Sequence, residues 1–163
     1  MNGVEEKKYT YWGVAIIIFI LLMYIFFLVL LLLLKPINEL LYAYLFVTIG
    51  LLLVLLCVYN ITITINKTYF SFKLGIGLIK KKYKITNIKS CKPYSGIPKR
   101  IGIGSKMTFK GNILNYYILP GFKAIELNFH DRQNLTILIG TNQPDEISQY
   151  VQSLIDENKI TGI

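Results

Sequence analysis

The apolar positions along the chain follow three regimes. From Val14 to Leu34 the sequence reads VAIIIFILLMYIFFLVLLLLL, twenty-one residues with no charge, proline or glycine. At about 1.5 Å per helical residue such a run reaches roughly 31 Å, the thickness of a bilayer's hydrocarbon core, and it predicts a membrane-spanning helix. A second apolar run, Leu40 to Tyr59, follows after only Lys35, Pro36, Ile37, Asn38 and Glu39. So short a connection predicts a tight antiparallel hairpin of two spans. The first run is longer than the apolar core of a secretory signal, and no small-x-small cleavage pattern precedes the loop, so a retained anchor is expected. Neither run contains Asp, Glu, Lys, Arg or His, which argues against a proton relay, an ion pathway or a transporter.

After Tyr59 the period changes to two. Asn60 to Ile65 alternates Ile61, Ile63 and Ile65 with Thr62 and Thr64, the pattern of a half-buried strand that starts directly at the membrane. Tyr69 to Leu74 sets Phe70, Phe72 and Leu74 against Ser71 and Lys73. Leu78 to Ile85 sets Ile79, Lys81, Tyr83 and Ile85 against Lys80, Lys82 and Lys84. Further strands are predicted at 87–94, 107–109, 113–119, 123–129 and 133–139, with a proline- and glycine-rich basic loop from Ser95 to Ser105. From Pro144 the period becomes helical, with Ile147, Tyr150, Val151, Leu154 and Ile155 on one stripe and Asp145 and Glu146 in the first turn. The expected division is an N-terminus over 1–10, a two-helix hairpin over 11–59 and a water-facing domain over 60–163. That domain has seven or eight short antiparallel strands, and its helix caps a bent sheet or small barrel.

Charge sharpens this picture. The net +9 lies entirely beyond the hairpin, because Lys7, Lys8 and Lys35 cancel Glu5, Glu6 and Glu39. Residues 60–110 carry eleven lysines and Arg100 with no acidic residue, whereas 111–163 carry three basic against six acidic residues. So one-sided a domain suits an anionic neighbour, either lipid headgroups or an acidic protein segment; a membrane-tied domain makes nucleic acid a poor first choice. Lysines near the helix ends favour both termini on the cytoplasmic side of an inner membrane, with the 35–39 loop outside. Tyr9, Tyr11 and Trp12 are expected at the first membrane interface. Gly50 reads as a tolerated small residue or, alternatively, as a point of close helix approach.

Several motifs in this order look familiar. The two-helix anchor, the short strands, Gly102 to Ser105 (G-I-G-S), Tyr116 to Phe122 (Y-Y-I-L-P-G-F) and above all Ile139 to Ile147 (I-G-T-N-Q-P-D-E-I) resemble membrane-anchored bacterial proteins with a pleckstrin-homology-like domain. The resemblance covers about residues 60–158. It implies a partly open β-barrel of about seven strands closed by the C-terminal helix, a binding or oligomerisation module, and no catalytic residues. Eukaryotic members cluster their inositide-binding Lys and Arg around the first hairpin, and here this chain departs from the pattern, since the turn offers only Lys67, with Lys73 at the strand end.

Candidate chemistry is sparse. His130, the single histidine, sits beside Asp131 and Arg132 in a predicted hairpin turn, where it reads as a solvated residue whose neighbours share no pocket. Gly75-Ile76-Gly77 and Gly102-Ile103-Gly104 are too short for a dinucleotide fingerprint and read as turns. Cys57 at membrane depth and Cys91 in the domain predict no disulfide, and no metal or cofactor site is assigned. The expected contact surface is Lys80, Lys82 and Lys84 together with Lys99, Arg100 and Lys106. It belongs to a non-catalytic scaffold that binds anionic lipid, an acidic partner or a second copy of itself. The rival readings are a small membrane enzyme or enzyme subunit using the Ser95 to Ser105 loop, and a stress or antimicrobial-peptide resistance factor.

Overall fold

The computed structural model describes residues 6–33, 38–94, 102–107, 111–119 and 122–160. Strand β1 (Lys7–Trp12) leads through Gly13 into helix α1 (Val14–Leu33), and helix α2 (Asn38–Val58) returns to strand β2 (Asn60–Ile65). The strands β3 (Tyr69–Leu74), β4 (Ile79–Lys84), β5 (Ile88–Pro93), β6 (Gly102–Met107), β7 (Ile113–Ile118), β8 (Lys123–Phe129) and β9 (Leu135–Thr141) precede helix α3 (Pro144–Ile160).

The helices run antiparallel side by side. The amide of Gly13 donates to the carbonyl of Tyr59 at 2.7 Å, which ties the start of α1 to the end of α2. Val14–Leu31 is long and apolar enough to cross a membrane, and only 6% of that stretch is buried within the protein. Its side chains therefore face outward along most of its length, unlike those of a soluble core helix. The apolar part of α2, Leu41–Cys57, is shorter. A Cβ at Gly50 would meet nothing, so this glycine is a tolerated small residue and not a helix contact point.

The N-terminal segment is where the structure departs most from the sequence expectation. Lys7–Trp12 is not a free N-terminus or part of the anchor. It is an edge strand paired antiparallel with β2, from Lys7 opposite Ile65 to Trp12 opposite Asn60. The cause is in its own alternation: Tyr9 and Tyr11 point to the core side, opposite Ile63 and Ile61, while Lys8, Thr10 and Trp12 point out. Tyr11 is buried, and its hydroxyl donates to Gln143 at 2.8 Å; the hydroxyl of Tyr9 donates to Glu146 at 2.9 Å. Those two rings face α3 and not the headgroups. Trp12, packed 5.5 Å from the Tyr59 ring, remains at the helix junction.

The strands form two sheets. One is the meander β1-β2-β3-β4; the other has the order β5-β8-β9-β7-β6. The barrel implied by the resemblance is not found: among the described residues no ladder joins the sheets. A 3₁₀ turn at Ile85–Asn87 separates β4 from β5, and with Ile85 fully buried it turns the chain from one sheet to the other. The second sheet is also not wholly antiparallel, since β7 runs parallel to β9. The predicted loop to Ser105 is shorter than expected, because Gly102–Met107 is a strand against β7; Gly104 lacks the side chain that would collide with the Tyr116 ring opposite it.

One core fills the space between the sheets. Ile61, Ile63, Ile65, Phe70, Phe72 and Leu74 from the first meet Ile125, Leu127, Ile137 and Ile139 from the second. Ring contacts cross the gap between Phe72 and Tyr117 at 4.8 Å and between Tyr83 and Phe129 at 5.0 Å. The predicted stripe of α3 packs into this core, with Ile147, Val151, Leu154 and Ile155 buried.

Candidate anion-binding face

The outward face of the β1–β4 sheet follows from alternation and register. Because β2 and β3 commit their isoleucines, phenylalanines and Leu74 to the core, Thr62, Thr64, Ser71 and Lys73 must face out. Register then sets Lys73 opposite Lys80 and Ser71 opposite Lys82, while Lys8 lies opposite Thr64. Glu6, Lys8, Thr62, Thr64, Ser71, Lys73 and Lys80 line one groove of about 250 Å³. Thr62 is buried and bonded to Thr10, and the Ser71 hydroxyl donates to the Thr64 carbonyl, so the three ammonium groups, set against a single carboxylate, are what suits this groove to an anion.

The three lysines expected on β4 are exposed and share one face. Their surroundings differ. Lys80 belongs to the groove beside Lys73, at the end of the sheet that meets the helices. The ammonium of Lys82 sits 3.7 Å from the centre of the Tyr69 ring, a cation–π contact. Lys82 and Lys84 join Asn87, Asp131 and Arg132 around a second cleft of about 260 Å³ at the far end of β4. Tyr83 forms part of its wall, and burial together with the neighbouring Tyr117 pushes its phenol up to about 12 against the opposing pull of Arg132. At about 3.4 Å per residue, Lys84 lies some 17 Å along the strand from Ile79.

Lys106 is exposed on β6, opposite Leu114 at the edge of the other sheet, and is not brought into either recess. Lys99 and Arg100 lie outside the described residues. Lys8 and Lys73 complete the groove, and the sequence reading did not assign them to the contact surface. Lys73 was legible from alternation alone, because it shares the outward parity of Ser71. Lys8 was not, since nothing local shows that β1 pairs across a helical hairpin.

His130, Asp131 and Arg132 line one open recess of about 620 Å³ with Ile113, Asn115 and Leu135, contrary to the expectation that they share no pocket. All three are exposed there, and the side-chain amide of Asn87 donates to Asp131 at 3.4 Å. Cys91 is buried on β5, and burial pushes its thiol up to about 12, which leaves little nucleophilic thiolate near neutral pH. Among the described residues no cluster of three histidine, cysteine or acidic side chains is arranged to hold a metal. Comparison with protein-family models, with curated proteins and with solved structures finds no match to this chain.

Proposed function

We propose that this chain is a non-catalytic membrane module, anchored by a two-pass hairpin in an inner membrane with both termini cytoplasmic, whose basic sheet face engages anionic lipid headgroups. The carrying observation is the groove lined by Lys8, Lys73 and Lys80, in which the Lys73–Lys80 pair lies one residue pair from the end of the sheet that meets the helices. Near an anionic leaflet each lysine contributes on the order of 1 kcal/mol, over a Debye length of about 8 Å. Because the helices already hold the domain at the bilayer, this energy orients it.

The two-pass arrangement is supported by connectivity. β1 precedes α1, β2 follows α2, and the two strands pair along their whole length. Both ends of the hairpin therefore emerge on one side, which requires an even number of crossings. With α1 apolar enough to cross, a return through α2 fits this connectivity, and the 17-residue apolar stretch of α2 sits at the short end of the spanning range, about 17–25 residues. Cleavage of α1 as a signal would also remove β1 and leave β2 as a bare edge.

A second reading is favoured by the distal cleft. Lys82, Lys84 and Arg132 surround it beyond a Debye length from the helix junction, so an acidic segment of a soluble partner suits it better than the leaflet does. Pairing between copies through β4 is disfavoured, because a lysine-laden edge strand repels its own kind.

Hydrogen exchange of the full-length protein in nanodiscs tests the lipid reading. The amides of Tyr69–Lys84 are expected to exchange more slowly in anionic than in neutral discs, and the difference to vanish at high salt and in a Lys73→Gln, Lys80→Gln variant. Equal exchange in both lipids overturns it.

A further inference from the structure

Outside the helices, the large apolar side chains left exposed among the described residues are Trp12, Ile76, Leu78, Ile103, Met107 and Ile113. Trp12, Ile76 and Leu78, at 56%, 59% and 71% exposure, all lie where the sheet meets the helices. Ile76 and Leu78 belong to the β3–β4 turn, Gly75-Ile76-Gly77-Leu78, which has no polar side chain. A turn in water ordinarily carries asparagine, aspartate, serine or another polar residue.

This turn is fastened to α2. The amide of Ile76 donates at 3.1 Å to the carbonyl of Leu56, one of the last-turn carbonyls that an α-helix leaves unpaired, and the amide of Gly75 donates at 2.9 Å to Asn60. Gly75 has φ +51°, and a Cβ there would run into the backbone carbonyls of Leu56 and Cys57. Leu56 lies inside the apolar stretch of α2. The turn therefore reaches the depth at which that stretch ends, level with the Trp12–Tyr59 ring pair. Indole and phenol rings favour that level of a bilayer.

We infer that the β3–β4 turn is a third membrane contact, with Ile76 and Leu78 seated at the headgroup–acyl boundary beside the two helices. This rests on the membrane reading above and adds to it: insertion of the turn sets the sheet's height, and it brings Lys73 and Lys80, one residue pair above Leu74 and Ile79, to the level of the lipid phosphates.

Tryptophan fluorescence of the full-length protein in liposomes tests this. Trp12 is the single tryptophan, so Trp12→Phe provides a dark background on which Ile76→Trp, Phe19→Trp and Thr86→Trp are each read. Phe19 lies in α1, and Thr86 is exposed at the far end of β4. Ile76→Trp is expected to emit at shorter wavelength than Thr86→Trp, to be quenched by acyl-brominated lipid, and to be several-fold less accessible to iodide. An Ile76→Trp signal as iodide-accessible as that of Thr86→Trp, with Phe19→Trp quenched by brominated lipid, overturns the inference and leaves the anchor standing. Failure of brominated lipid to quench Phe19→Trp overturns the membrane reading and the inference with it.

Discussion

The two sheets use charge in opposite ways. The β1–β4 sheet turns lysines outward at Lys8, Lys73, Lys80, Lys82 and Lys84, with Glu6 as the single acid in its groove. The other sheet is covered by α3, two of whose acids meet the first sheet at the surface: Glu146 accepts from Tyr9, and Glu157 lies 3.7 Å from Lys67. Two acids of α3 thus have partners on the first sheet, while the lysines on the outer face of β3 and β4 meet no acid across their register. A net charge of +9 does not reveal this, because the division is between faces.

The largest test of that comparison concerns β1, which belongs to the basic sheet yet is docked on the acidic helix. Replacing residues 13–59 with an Asn-Gly turn joins Trp12 to Asn60, which already form a pair, and is expected to yield a soluble folded domain with dispersed amide resonances. Residues 60–163 alone are expected to aggregate. They lose the buried Tyr11, worth about 1.5–3 kcal/mol, and they expose the edge of β2. Equal solubility of the two proteins would mean that β1 contributes little.

Gly75→Ala is next in size. Its positive φ alone costs about 1–3 kcal/mol with a side chain present, before the collision with α2 is counted. The expected result is a lower unfolding temperature and faster exchange at Ile76. Unchanged exchange there would detach the turn from α2.

Alkaline pH acts mainly on the interior that both sheets share. Tyr9, Tyr83 and Cys91 have their folded values raised to about 12, the tyrosines from 10.0 and the thiol from 9.0, with burial the first cause in each. The folded state therefore keeps protons that the unfolded chain gives up. Stability is intact below about pH 9 and falls as pH rises toward 12. A melting temperature that stays level from pH 8 to pH 11 in detergent would contradict this.

Two charge tests are smaller. Neutralising Lys73 and Lys80 is expected to weaken anionic-lipid protection by about 1 kcal/mol per lysine, whereas neutralising Lys82 and Lys84 leaves it nearly unchanged. Equal effects would erase the distinction between the two ends of β4. Lys67→Ala, which removes an ion pair with both side chains more than half exposed, is expected to shift stability by under about 1 kcal/mol in chemical denaturation.

Much of the local structure is legible in single stretches. β2, β3 and β8 occupy the residues that alternation predicts, because a period of two with β-branched or aromatic residues has one way to bury its apolar side. The α3 stripe is legible for the same reason at a period of 3.6. The outward parity of Lys80, Lys82 and Lys84 follows from Tyr83 and Ile79 facing in. What stayed hidden depends on partners distant in sequence. Gly102–Met107 reads as a loop until β7 offers an edge, and KKYTYW reads as an interfacial flank until β2 lies beside it.

The sequence by itself determined a long apolar helix, a β-rich domain with a terminal amphipathic helix, and a surplus of lysine confined to one half of that domain, because each is written in composition and period. Only the tertiary fold sets β1 across the hairpin to complete the first sheet, forms two sheets in place of a barrel, and brings Lys8, Lys73 and Lys80 to line one groove. Strand order and register are set by which edges find each other across long loops, and no local pattern carries that choice.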